Sequence, residues 1–179
     1  MTDDAVIWNQ FTVLLPEAEA REVKDCWDIG EQEAGLGLLV SGIVGHRVPI
    51  SETARAQISV LAEIWGERET LTPKILQCRV EGAPGPMKLI DGDGSPVPEA
   101  TAVGVQDLAG LVFVPWITCT ICGQILMRVH ARESWGDLSH LARYYVITTP
   151  DRATVLRLFP AASAGASFAL LQYACPAAP

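Results

Sequence analysis

A cluster of prolines and glycines around Ala83 to Glu99 constrains this chain most. It combines Pro84, Pro86, Pro96 and Pro98 with Gly82, Gly85, Gly92 and Gly94. Proline fixes φ and lacks an amide donor, so neither a helix interior nor a central strand runs through such a stretch. The apolar residues before it recur at helical spacing, and those after it form short β-branched and aromatic runs. The expected fold is therefore α+β, an N-terminal helical bundle followed by a small antiparallel sheet with one or two helices. Its boundaries are a helical acidic part over 1–80, a connector over 81–100 and a strand-rich part over 101–179. The length of 179 residues suits one compact unit holding both parts.

In the first part, Ile7, Trp8, Phe11, Leu14 and Leu15 share one face of a helix over Asp4 to Leu15, which Pro16 ends. Glu17 to Trp27 reads as a polar helix and Gly30 as its break. Glu31 to Gly45 is apolar on nearly all sides from Leu36 onward, the pattern of a helix at the centre of a bundle. Ser51 suits the N-cap of the next helix, whose apolar positions run from Ala54 to Trp65 before Gly66 stops it. A short helix over Thr72 to Cys78 would carry Pro73 in its first turn.

In the second part, Met87 to Ile90, Leu111 to Val114, Trp116 to Thr118, Gln124 to His130 and Tyr144 to Thr148 read as strands. Pro115 implies an edge strand or a bulge. Trp135, Leu138, Leu141 and Ala142 suit a short helix. Thr154 to Phe159 fits a strand, or a helix capped by Asp151. Ser163 to Tyr173 reads as a helix.

The net charge of −8 is unevenly placed. Residues 1–35 hold nine acids against two bases, and the remainder holds twelve against eleven. Direct binding to a nucleic-acid backbone needs clustered Lys and Arg and is disfavoured. A basic protein partner is favoured, because opposite potentials speed encounter. The candidate contact residues are Glu22, Asp25, Trp27, Asp28, Glu31 and Glu33, an aromatic ringed by acids being the composition of a binding hot spot. Alternatively the acids form a solvated face and Trp27 packs inward. Met1-Thr2-Asp3-Asp4 carries acids where an export signal carries bases. The longest apolar stretch, Ala34 to Val44, has 11 residues where a membrane span needs about 20. Together these point to a cytoplasmic protein whose five cysteines are reduced, with no membrane partner.

Cys119-Thr120-Ile121-Cys122-Gly123 is the most specific motif. Two thiols at this spacing on a tight turn reach one zinc ion, and a glycine lets the turn close. No second C-x-x-C exists, so further ligands would come from Cys26, Cys78, His130, His140 or Cys175. A plain hairpin turn and a redox dithiol are the alternatives, the latter weakened because redox pairs usually open a helix. Pairing Cys119 or Cys122 with His130 would make a nucleophile and base, but no oxyanion hole or orienting acid accompanies them. Asp91-Gly92-Asp93-Gly94-Ser95 begins like a calcium loop but has Pro96 and Ala102 where Gly and Glu are required.

The stretch Trp27 to Gly66 opens a helix with Trp-Asp-Ile-Gly-Glu-Gln-Glu-Ala-Gly-Leu and starts the next with Val48-Pro49-Ile50-Ser51. It resembles the helical module of small bacterial immunity proteins that neutralise polymorphic or contact-dependent toxins. The likeness covers about 40 residues and uses short motifs; nothing after Glu81 shares it. It implies a non-enzymatic inhibitor that occupies a toxin's active site, and an acidic face would suit a basic nuclease toxin. The leading expectation is thus a protein-binding protein with no cofactor. A zinc-stabilised structural or regulatory domain is second and an enzyme of unread type third.

Overall fold

The helical periodicity before the proline cluster folds as five helices: α1 (Asp3–Thr12), α2 (Glu17–Asp28), α3 (Gln32–Gly45), α4 (Glu52–Ile64) and α5 (Arg68–Gln77). The computed structural model describes residues 3–90, 92–97, 108–173 and 175, with only the backbone for residues 3–5. Asp91, Pro98, Glu99 and Ala102, together with Met1 and Thr2, lie outside the described residues. The chain divides into two units, 1–83 and 84–179. The break falls inside the expected connector. Among the described residues no helix is long and apolar enough to cross a membrane.

In the first unit α3 packs against α2, α4 and α5, and Leu36, Leu39, Val40 and Ile43 are fully buried. Close approach to α2 depends on two glycines seven positions apart. A Cβ on Gly35 would lie 2.9 Å from both Cys26 Cβ and Trp8 Cζ2, and one on Gly42 would lie 2.9 Å from Glu19 Oε2 and Leu15 Cδ2. Gly30, at φ +85°, ends α2. Its amide donates to Trp27 O and the Glu31 amide to Cys26 O, the paired bonds of a Schellman stop. Ser51 caps α4 by accepting from the Ala54 amide at 3.1 Å. α1 stops at Thr12, short of the expected Leu15, and two turn bonds carry the chain to Pro16. α5 starts four residues before the expected Thr72, so Pro73 stands inside the helix instead of in its first turn.

In the second unit the strands are β1 (Met87–Leu89), β2 (Ser95–Pro96), β3 (Val112–Cys119), β4 (Ile125–His130), β5 (Tyr144–Thr148) and β6 (Val155–Pro160), followed by α6 (Ala164–Tyr173). They form one antiparallel sheet in the order β1-β3-β4-β5-β6, with β2 also paired to β3. The α+β expectation therefore holds. The expected connector supplies β1 and β2, which pair with opposite ends of β3. β3 is a central strand, and it accommodates Pro115 through a register shift between Pro115 and Ile117. Leu108, Phe113, Ile125, Met127, Val129 and Val146 form a core cluster. α6 lies against β5 and β4.

Thr154 to Phe159 takes the strand option, and Asp151 works in the β5–β6 turn, accepting from Thr149 Oγ1 and the Ala153 amide. The helix expected around Trp135 does not form. Gly136 sits at φ +101°, the Glu133 amide donates to Asp137 O, and Arg132 bridges Leu138 in antiparallel fashion. This turn geometry leaves Trp135 72% and Leu141 66% exposed.

Candidate functional site: an acidic groove and a three-thiol knuckle

α2 and the start of α3 gather the acidic residues. Glu22, Asp25, Asp28, Glu31 and Glu33 are all exposed. None of the five forms an ion pair among the described residues, whereas Glu17 holds Arg21 and Glu19 holds His46 at 2.7 Å. Cys26 stands among them. Its thiol pKa is raised, first by desolvation and then by the carboxylates of Glu31, Glu22 and Asp25. The three acids thus act on one point, as a shared negative field requires.

Trp27 is half-buried. Its ring lies 5.3 Å from that of Trp8 and 6.1 Å from that of Trp65, and Trp8 and Trp65 meet edge-on at 5.4 Å. Packing from three segments fixes this aromatic, so it does not project freely from the acidic stretch.

A groove of about 400 Å³ runs between the two helices. Glu19, Glu22 and Val23 line it from α2, and Leu38, Ser41 and His46 from α3 and its cap. Gly42 keeps the helices close here and leaves room for the acid and imidazole side chains. Lys74 Nζ donates to Ser41 Oγ at 3.2 Å, and Glu22 has no ion-pair partner among the described residues. His46 sits at the α3 C-cap, and its tie to Glu19 depends on the α2–α3 packing.

The second cluster belongs to the second unit. Cys119 closes β3 and Cys122 lies in the turn before β4. The Cys119 amide donates to Gln124 O, the Gly123 amide to Cys119 O, and Gly123 takes φ +74°. Cys175 follows α6. Its Sγ and those of Cys119 and Cys122 all lie within 4.8 Å of one another. Cys119 is buried and the other two are half-buried. Burial pushes the Cys119 pKa up, but the Cys122 and Ile121 amides and the thiols of Cys122 and Cys175 outweigh it, and the net shift is downward. Desolvation and the two neighbouring sulfurs push Cys175 up to about 12.

Of the five further ligands considered from sequence, only Cys175 joins this cluster. Cys26 and Cys78 belong to the first unit. His130 is buried with Nδ1 bonded to Ser139 O at 2.8 Å, and His140 is exposed. No local pattern marks Cys175, because its position depends on where α6 ends.

Neither a family model, nor a curated protein, nor a solved structure matches this chain. Residues 27–66 build the end of α2, all of α3 and all of α4.

Proposed function

We propose that the helical unit binds a basic protein partner through the acidic face of α2 and α3, and that the protein acts without catalysis. The observation that carries this is the set of five exposed carboxylates with no ion-pair partner among the described residues, one of which, Glu22, lines the groove. Packing in folded proteins usually neutralises or disperses like charges. A face that concentrates them attracts opposite charge from solution and raises the association rate by roughly 10- to 1000-fold. An Arg or Lys side chain of the partner enters the groove, lays its aliphatic stem on Val23 and Leu38, and meets Glu22 with its charge. Trp27, held by Trp8 and Trp65, adds a rigid edge beside the acids at little entropic cost.

Non-catalytic action is supported by how the reactive groups are distributed. Among the described residues the groove is lined by His46 but neither His130, His140 nor a thiol, and no histidine joins the three-thiol cluster. Among basic partners, the resemblance of residues 27–66 favours a bacterial toxin domain, held in the cytoplasm with its active site covered. A basic nuclease has the matching charge, and the protein itself makes no direct contact with nucleic acid.

The test separates location from net charge. One variant carries Glu22→Gln, Asp28→Asn and Glu31→Gln; a control of equal charge carries Glu81→Gln, Asp93→Asn and Asp137→Asn. Association with a short oligo-arginine peptide is followed by surface kinetics at low and high salt. The face variant should lose association rate and salt dependence, and the control should retain most of both. Equal loss in the two variants would show that net charge alone drives binding and would remove the basis for a docking face. The toxin reading is checked by growth protection when the chain is co-expressed with a toxin domain encoded beside its gene.

A further inference from the structure

We infer that Cys119, Cys122 and Cys175 form a zinc site in which three thiolates hold one ion and the fourth ligand is water or a donor from outside the chain. This goes beyond the partner-binding reading and stands on separate residues.

Zinc bound to thiolates at about 2.3 Å in a tetrahedron places the sulfurs roughly 3.8 Å apart. The three Sγ atoms already lie within 4.8 Å of one another, so closing onto an ion needs side-chain adjustments of an ångström or less. Convergence this tight is not what three unrelated surface cysteines give. Cys119 and Cys122 come from one turn, while Cys175 arrives from the far end of α6.

The turn itself has the form that a metal–thiolate site needs. The Cys119 amide donates to Gln124 O and the Gly123 amide to Cys119 O, closing the turn that carries Cys119 and Cys122 side by side. Gly123 takes the left-handed backbone that lets the loop fold back to β4, and a Cβ there would lie 2.9 Å from Pro150 Cγ.

Three adjacent sulfurs also make a costly group without a cation. Each one that ionises raises the cost of ionising the next. A divalent ion reverses this by binding all three as thiolates. Binding releases the protons the thiols carry, so affinity falls as pH falls.

Sulfur selects against calcium and magnesium, which take oxygen ligands, and favours zinc among common divalent ions. Among the described residues no fourth His, Cys, Asp or Glu joins the three. Structural zinc sites are usually closed by four protein ligands, whereas three protein ligands leave a position for an exogenous donor. The half-burial of Cys122 and Cys175 gives such a donor access. The ion would also fasten the segment after α6 to the β3–β4 turn.

The experiment uses the full chain, purified reduced and without added metal. Zinc is measured by elemental analysis, and the reduced, metal-free chain is then titrated with zinc chloride. We expect one zinc per chain and a rise in melting temperature that a chelator reverses. Substituting Co(II) should give a thiolate-to-metal charge-transfer band that weakens in proportion to the one thiolate lost in Cys175→Ser or Cys122→Ser. Each of those variants should lose at least about tenfold in zinc affinity, the loss that removing even a supporting partner of a ligand can cause. Cys26→Ser should leave stoichiometry and spectrum unchanged. Far-UV circular dichroism of each variant confirms that it is folded, and Cys175→Ser, outside the regular elements, is the variant least exposed to misfolding. Less than a tenth of an equivalent of zinc after titration overturns the proposal. So does a Co(II) spectrum unaffected by Cys175→Ser, a disulfide between any two of the three cysteines in protein handled anaerobically, or preferential retention of copper(I).

Discussion

Replacing Gly35 by alanine tests the α2–α3 packing that builds the acidic groove, because two opposed effects of known size act at one atom. Alanine is favoured over glycine in a helix interior by about 1 kcal/mol. Against this, the new Cβ would meet Cys26 Cβ and Trp8 Cζ2 at 2.9 Å, where carbon pairs prefer about 3.5–4.0 Å. Neither neighbour is free to retreat. A Cβ moves only with its backbone, and the Trp8 ring, 1% exposed, is locked against Trp27 and Trp65. Overpacking of this kind costs about 1–3 kcal/mol. Gly37 is the internal reference, since a Cβ there meets nothing within 4 Å in the same helix. Gly37→Ala should therefore stabilise by up to about 1 kcal/mol. The two variants share the propensity gain, so their difference isolates the contact and should be about 1–3 kcal/mol. Urea unfolding followed by tryptophan fluorescence should separate their midpoints by roughly 1 M, given slopes of about 1–3 kcal/mol per M. Trp8, Trp27 and Trp65 report on the helical unit, and a Trp116→Phe, Trp135→Phe background removes the signal of the other two. If Gly35→Ala proves as stable as Gly37→Ala, the helices are not that close and the groove argued from their approach loses its frame.

Three further outcomes follow from local geometry. Ser51→Ala removes the cap oxygen that accepts from the Ala54 amide and should cost about 1 kcal/mol in chemical unfolding. Arg47 adopts φ +52° just after α3, where a Cβ is unfavourable, so Arg47→Gly should stabilise by roughly 0.5–1 kcal/mol despite the greater freedom of unfolded glycine. The Asp151 carboxyl lies below its ordinary value because of the Thr149 hydroxyl first and the Ala153 amide second. Its ionised form therefore favours the folded turn above the unfolded-chain value, near 3.9, and the contribution is lost as pH falls through the lower folded value. An NMR titration should find that depressed value in the native protein and one shifted part of the way back toward normal in Thr149→Ala, where the Ala153 amide still donates.

Element types were legible in this sequence wherever one physical cause dominated. Ser51 followed by an apolar repeat marked the start of a helix, and Pro115 inside a β-branched run marked an edge strand or a bulge, of which the structure takes the register shift. The misreadings come from places where local pattern and tertiary packing disagree. Trp135, Leu138 and Leu141 have helical spacing, but Gly136 between them favours a turn, and the isolated bridge from Arg132 to Leu138 satisfies the backbone instead. Within the proline cluster the strand at Met87 to Ile90 was legible from its apolar residues, but Ser95 and Pro96 read as connector. They still pair along β3, since an outer strand tolerates a missing amide donor where a central one does not.

The two candidate sites differ in how far sequence could reveal them, and the reason is the separation of their parts. Charge in the first unit is a sum over nearby residues, so the stretch containing Glu22 to Glu33 announces itself without any knowledge of the fold. Which acids remain unpaired is another matter. Arg21 and His46 each hold one carboxylate, and only the angle between α2 and α3 decides that Glu19, and not Glu22, receives the imidazole. The thiol cluster is the extreme case. Cys119 and Cys122 are adjacent on any hairpin, whereas Cys175 meets them only after four antiparallel strands and a helix are in register. A ligand set assembled in that way holds its geometry only while the sheet and α6 are folded. Metal affinity and the stability of the second unit should therefore be linked, each strengthening the other.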